Sequence, residues 1–343
     1  MGPLANLTNL RFLSIGGADI SDLTPLTNLT KLEILTFQHN EISDISQLTG
    51  LTQLKRLHLG NNKISDVSPL ANLTQLKWGD LRNNNISDFS PLDTLLQSTS
   101  IILFGNPGFP SGGPKIEKPL LWVTVPAEKD PWGFPKLVAS QKDLLSAASN
   151  NLVTEIEIST NGATEGESVG NNVWRGGELN GEALGNINTM LRDNGINPPN
   201  IPDYAIYLCY TFYSTSEQNT TLFIGSDFES KTWLNGTLIN KNEGYYGHPD
   251  YQTFLPITLK QGKNVLLVAV ANNEGDQWGI YVGFAPDTEY TTFPPYDVNQ
   301  DGQINILDLV LVADEFGKNT TQTDINGDGV VNILDLVIIA NEM

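Results

Sequence analysis

A 22-residue period runs through the N-terminal third of this 343-residue chain and constrains its fold more than any other feature. Leu10, Leu32, Leu54 and Leu76 fall in register, as do Ile15, Phe37, Leu59 and Leu81, and then Ile20, Ile42, Ile64 and Ile86. A further column holds Asn40, Asn62 and Asn84, with Ala18 in its first place. A unit this short cannot bury its leucines alone, so the copies must stack into a solenoid, each giving one strand and a return turn. The asparagines are expected to be buried, satisfying backbone groups of neighbouring coils. Residues between the inward leucines alternate onto the concave face. Those columns are Phe12, Ile34, Arg56 and Trp78; Ser14, Thr36, His58 and Asp80; and Gly16, Gln38, Gly60 and Arg82. Arginine and aromatic residues are enriched at interface hot spots, which makes Arg56, Trp78 and Arg82 the candidate contacts for a protein or glycan ligand.

The pattern resembles the bacterial leucine-rich repeat of the internalin type, over about four repeats and a closing half copy, IILFGNP at 101–107. The resemblance implies a solenoid with an α/β-type coil over 1–110. The first coil leaves Leu10, Leu13 and Ile15 with one bare side, so the chain is expected to be a fragment beginning inside a repeat.

A Gly- and Pro-rich stretch at 111–118 reads as a linker. From 119 to 290 the period vanishes and short strand-like runs follow: LLWVTV, TEIEIS, AIYLCYTFYS, TTLFIGS, KTWLNGTLI and NVLLVAVAN. Asn235-Gly236 predicts a two-residue type I′ hairpin. Strands this short and regular predict a β-sandwich. The stretch from SDFESKTWLNGTLI through LKQGKNVLLVAVAN resembles the galactose-binding-type jelly-roll modules appended to many glycoside hydrolases. One helix is expected at 186–195, on the rim. Tyr245, Tyr246, Tyr251 and Trp278 fall in loops, where aromatic rings can stack on sugars, whereas Trp174, Trp233 and the single cysteine, Cys209, read as core.

A second linker, 291–296, precedes the sharpest chemistry. DVNQDGQINILD from Asp297 and DINGDGVVNILD from Asp324 place oxygen side chains at loop positions 1, 3, 5, 9 and 12, with glycine at position 6. That is the ligand rhythm of a calcium loop. The first site would use Asp297, Asn299, Asp301, the carbonyl of Gln303, Asn305 and Asp308. The second would use Asp324, Asn326, Asp328, the carbonyl of Val330, Asn332 and Asp335. Two matched copies, all hard oxygen donors, predict two Ca2+ ions rather than a transition metal.

Asp instead of Glu at position 12, and no helix before either loop, resemble the type I dockerins of cellulosome-like systems. The resemblance covers nearly all of 297–343 and implies a small all-α calcium-binding module with a cohesin-type partner. It assigns partner discrimination to Ile306-Leu307 and Ile333-Leu334. ILDLVLVADEF and ILDLVIIANEM are apolar on too many sides for free surface helices; either a partner covers the excess or all four residues are core.

The formal charge of −20 argues against nucleic acid, whose backbone demands clustered Lys and Arg. No run approaches the roughly 20 apolar residues of a membrane span. No signal peptide opens the chain, so an extracellular or cell-surface bacterial location is expected from the modules alone. His39, His58 and His248 form no ligand spacing, and no GxSxG, HExxH or phosphate loop is present. The expectation is a secreted, non-catalytic, multi-domain binding protein that docks through its C-terminal module. Two readings stay open beside it: an accessory fragment of a polysaccharide-degrading enzyme, and a surface adhesin with a structural calcium clip.

Overall fold

The computed structural model describes residues 1–96, 99–117, 120–129, 135–137, 142–180, 186–196, 204–226, 228–242, 251, 253–271, 278–294, 296–300, 303–320, 322–326 and 328–343. Five parallel strands form the solenoid sheet: β1 (Phe12–Ser14), β2 (Ile34–Thr36), β3 (Arg56–His58), β4 (Trp78–Asp80) and β5 (Ser100–Ile102). Their register is the sequence period itself, Phe12 beside Ile34, Arg56, Trp78 and Ser100. The leucine columns close into one core, while Leu10, Leu13, Ile15 and Ile20 of the first coil are only partly buried.

The asparagine ladder forms as expected. Asn62 Oδ1 accepts from Ile42 N at 3.0 Å, and its Nδ2 donates to Phe37 O and Leu59 O at 2.9 Å. Asn40, Asn84 and Asn106 repeat the arrangement, so each coil satisfies the backbone of the one before it. On the return side Asp22, Asp44, Asp66 and Asp88 each accept the amide two residues on, at 2.8–2.9 Å. The expected α/β coil is corrected here. The return segments at Thr24–Leu26, Ser46–Gly50, Ser68–Leu70 and Ser90–Leu92 are 3-10 turns, three of them opened by proline, and only the short α1 (Asp93–Leu96) is α-helical. A 22-residue coil has too little chain left for a longer helix.

The middle segment builds two antiparallel sheets. Its elements in chain order are β6 (Leu120–Pro126), the pair β7 (Glu128–Lys129) and β8 (Pro135–Lys136), α2 (Leu144–Ala148), α3 (Glu155–Asn161), the pair β9 (Ser168–Val169) and β10 (Asn172–Val173), β11 (Arg175–Gly177) and α4 (Asn186–Asp193). They continue with β12 (Tyr204–Ser214), β13 (Gln218–Ser226), β14 (Ser230–Leu234), β15 (Thr237–Asn242), β16 (Thr253–Leu259), β17 (Gly262–Ala271) and β18 (Ile280–Phe284). The larger sheet runs β11-β6-β12-β17-β14-β15 and the smaller β16-β13-β18. Ile206, Leu208, Val268 and Trp122 of the larger sheet share a core with Leu222, Leu255 and Val282 of the smaller.

The other face of the larger sheet is covered too, where Tyr207, Cys209, Leu267 and Ala269 pack with Leu144, Leu145, Ile158 and Trp174. Burial on both faces explains why β12 reads as an unbroken apolar run, whereas β16, open on one side, alternates. The hairpin at Asn235-Gly236 forms, with φ of 49° and 84°. TEIEIS, expected as a strand, is a helix: Thr154 caps α3 by accepting from Glu157 N at 3.1 Å, and Ile158 turns into the core. The Thr-x-x-Glu spacing was the signal that outweighed the strand-like alternation. Helix α4 is packed into the core rather than set on a rim, with Asn186 bonding both backbone groups of Ile280.

Both expected linkers are paired. Residues 113–116 run along β18, with Gly113 N donating to Phe284 O and Ile116 N to Val282 O. Thr291 and Tyr213 exchange two backbone hydrogen bonds at 2.8 Å. Phe89 and Phe109 of the last solenoid coils each meet Phe254 at 5.5 Å. The C-terminal module is two helices, α5 (Ile306–Asp314) and α6 (Ile333–Glu342), around Val298, Val312, Val331 and Ile339.

Candidate functional site

The two acidic loops lie directly before α5 and α6, and the helix starts organise them. Asn305 and Asn332 are N-caps, accepting from Leu307 N and Leu334 N at 2.8 Å. Each cap is completed by the carboxylate at loop position 12. Asp308 is fully buried and gathers Val298 N, Asn299 N and Asn305 N at 2.7, 3.1 and 2.8 Å. Asp335 does the same for Ile325 N, Asn326 N and Asn332 N at 2.8, 3.0 and 2.7 Å. One carboxylate thus folds each loop back onto its own helix.

The second loop shows how the remaining ligands converge. Asp324 accepts from Asp328 N and Gly329 N, and Asp328 Oδ1 from Val330 N. Asp328 Oδ2 receives Asn326 Nδ2 at 3.0 Å and Asn332 Nδ2 at 3.3 Å, while Asn332 Nδ2 also donates to the Val330 carbonyl at 2.8 Å. These hydrogen bonds, led by the one from Val330 N, hold the Asp328 carboxyl below its ordinary range. Gly329 at φ 92° makes the bend. In the first loop Asp297 is buried and Asn305 Nδ2 lies 3.4 Å from Gln303 O, but Asp301 lies outside the described residues.

Among the described residues no three carboxylate, histidine or cysteine side chains cluster by themselves. The reason is visible in the second loop, where the position-12 carboxylate of Asp335 is turned onto backbone amides and Asn326 and Asn332 bond to Asp328. The donor set nevertheless fits a hard cation. Six oxygen-bearing groups of the second loop are held in one web, and two amide N–H groups already point at Asp328 where positive charge is wanted.

The helices behind these loops expose what a globular module normally hides. Ile306, Leu307, Ile333 and Leu334 are 54–62% exposed, so the core reading of these four is excluded. Val310, Leu311 and Val337 continue the same faces one turn on. Sequence reasoning had not named these three, although their i, i+4 spacing from Ile306, Leu307 and Ile333 was the available signal. Ten of the fifteen exposed large apolar side chains among the described residues lie in 306–343, which marks this module as an interaction surface.

The other expected contact residues are placed less simply. Arg56 is exposed on the concave face. Trp78, expected there too, is only 6% exposed and meets the edge of His58 at 5.6 Å. Alternation gives the direction of a side chain but not its depth. Arg82 lies largely covered, forked onto the fully buried Asp80 at 2.6–2.9 Å, and His58 Nε2 meets the same carboxylate at 2.8 Å. Gly60 leaves room for this pair, since a Cβ there would lie 3.1 Å from Asp80 Oδ1.

Two of the four aromatic rings expected to face a sugar are turned into the core instead. Trp278 is completely buried between the sheets, and Tyr251 packs against Phe223 while its hydroxyl donates to Gly113 O at 3.1 Å. Both rings anchor loops to the core. Tyr245 and Tyr246 lie outside the described residues. Trp174 and Trp233 are buried, as expected, and so is Cys209, its thiol pushed up to about 11 by burial.

No helix among the described residues is long and apolar enough to cross a membrane. No curated protein matches the chain. Among solved structures, internalin C2 of Listeria monocytogenes is 40% identical over 30% of this chain and 46% of its own, with a TM-score of 0.29. Internalin F of the same organism is 35% identical over 31% of this chain and 38% of its own, with a TM-score of 0.26. The chain spans less than half of either internalin structure. Residues 8–50 and 30–72 match the family model for leucine-rich repeats in two copies, and residues 295–343 match the type I dockerin domain. The N-terminal segment therefore consists of leucine-rich repeats, and the chain ends in a type I dockerin domain, a calcium-binding module that docks onto cohesins.

Proposed function

We propose that this is a secreted, non-catalytic bacterial protein whose dockerin, loaded with two calcium ions, attaches it to a cohesin-bearing partner, leaving the repeats to bind a second protein. The observation that carries the reading is the pair of exposed apolar helix faces set directly behind the two oxygen-rich loops. The first ion would be held by Asp297, Asn299, Asp301, Gln303 O, Asn305 and Asp308, and the second by the equivalent groups from Asp324 to Asp335. Calcium supplies the charge neutralisation that lets each loop close on its helix. The two-sheet module, which we read as a jelly roll, holds repeats and dockerin apart; its buried tryptophans give no support to a sugar site.

Titration calorimetry with a type I cohesin tests the reading directly. Tight binding in calcium, lost on chelation and lost when Ile306, Leu307, Ile333 and Leu334 are all changed to Asp, supports it. Binding that survives the fourfold change would place the docking surface elsewhere.

A further inference from the structure

A cleft of about 670 Å3 opens at the seam between the two-sheet module and the dockerin. The exchange of backbone hydrogen bonds between Tyr213 and Thr291 draws its two walls together. One wall is the end of the larger sheet, with Tyr213 and Thr215 at the close of β12 and Gln261 in the turn before β17. The other is the dockerin, with Tyr296 and Asp324 ahead of its helices and Glu342 at the end of α6. None of the residues named from the sequence as sugar contacts lines it.

A volume of this size is that of a small-molecule site. Two half-buried tyrosines, Tyr213 and Tyr296, give it aromatic surface. Among the described residues their hydroxyls, the Thr215 hydroxyl, the Gln261 amide and the Glu342 carboxylate make no hydrogen bond within the chain. Lys263, Ser214 and Gln322, also in the lining, are instead spent on protein carbonyls. Lys263 Nζ donates to Asn161 O at 2.7 Å, Ser214 Oγ to Ser216 O at 2.8 Å and Gln322 Nε2 to Val298 O at 3.2 Å.

This inventory narrows the ligand. An anion would meet Glu342 and Asp324, with the ammonium of Lys263 turned to a carbonyl. A purely apolar molecule would cover the hydroxyls and the amide without giving them partners. A sugar ring satisfies both requirements, since its C–H face rests on an aromatic ring and its hydroxyls donate and accept. We propose that this seam is a binding site for a short neutral oligosaccharide, held by the rings of Tyr213 and Tyr296 and by hydrogen bonds to Thr215, Gln261 and Glu342. The site belongs to neither module alone.

The test uses the full chain in calcium and titration calorimetry with three neutral probes, cellohexaose, xylohexaose and mannohexaose, beside acidic hexagalacturonate. At least one neutral probe should bind saturably and more tightly than hexagalacturonate. Tyr213→Ala should weaken that binding about tenfold and Gln261→Ala about threefold, while Tyr213→Phe, which keeps the ring, should lose less than Tyr213→Ala. Gln53→Ala, at an exposed site on the solenoid, should change nothing. Gln261 is exposed, so its variant folds as the parent does and decides the matter should Tyr213→Ala misfold. Absence of saturable binding by every neutral probe overturns the proposal, as does tighter binding of hexagalacturonate, or binding that survives both Tyr213→Ala and Gln261→Ala. Ile306, Leu307, Ile333 and Leu334 lie outside the cleft, so cohesin binding by the same variants reports separately on the docking reading.

Discussion

The solenoid turns and the calcium loops are made from the same residues, Asn, Asp and Gly at fixed spacing, yet they solve the same polar problem differently. In the solenoid the next coil supplies what each turn lacks: the Asn62 amide finds a donor and two acceptors on backbone that the stack itself presents. In the dockerin loops acceptors outnumber donors, and asparagine amides have to serve Asp328 from within the loop. Regular asparagines in a growing stack need only more chain. Regular aspartates in a small module need an ion.

Removing calcium should produce the largest difference between the two regions. Scanning calorimetry of the full chain with chelator should lose the dockerin transition while the others stay in place. Calcium at about a thousand times its dissociation constant adds roughly 4 kcal/mol to whatever it binds. A solenoid transition that shifted with it would erase the contrast.

Asn62→Ala should cost about 1–3 kcal/mol, because it leaves Ile42 N buried without its acceptor, while Phe37 O and Leu59 O lose one amide donor and keep those of Asn40 and Asn84. That cost should not depend on calcium. Asn326→Ala should instead weaken calcium affinity and leave the saturated protein near its parent midpoint. Denaturant titrations of both variants with and without calcium check the pair.

pH separates the buried acids of the solenoid and the two-sheet module. Burial alone would raise the Asp80 carboxyl, but hydrogen bonds from His58 and Arg82 hold it below its ordinary value of 3.8. Its contribution is present above that value and lost as pH falls through the lowered one. Burial pushes Glu155 above 4.5 despite Lys231 and the Tyr207 hydroxyl at 2.5 Å. Its contribution is present below 4.5 and lost as pH rises through the raised value. Thermal midpoints measured between about pH 3 and pH 8 should show Asp80→Asn flattening the acid limb and Glu155→Gln the upper one. The reverse pattern would mean that burial prevails at Asp80 and the partners prevail at Glu155.

Arg56→Ala should move stability by less than about 0.5 kcal/mol, since the side chain is exposed. Trp78→Ala should cost clearly more, a distinction that the shared concave column conceals and chemical denaturation would show.

What could be read in advance follows from which forces act locally. The solenoid register, the Asn235-Gly236 hairpin and both acidic loops rest on residues close in sequence or strictly repeated. Glu155–Asn161 was misread because strand-like alternation was weighed above a cap. Trp278 and Trp78 were misplaced for another reason: a loop position or an outward register says nothing about what later packs over it.

The bridge between Tyr213 and Thr291 also gives the molecule a mechanical character. A protein held by its dockerin and by a ligand on its repeats is pulled at both ends. Beyond Tyr290, which packs on Phe212 and Phe284, the two backbone hydrogen bonds at Thr291 tie the segment leading to Asp297, whereas β12 and β17 are paired across ten residues. Under tension the bridge should part first, freeing the six residues between Tyr290 and Asp297, up to about 20 Å of contour, before any sheet is strained. Single-molecule pulling would register this as a small early step ahead of the main unfolding events, a slack that protects the grip on both partners.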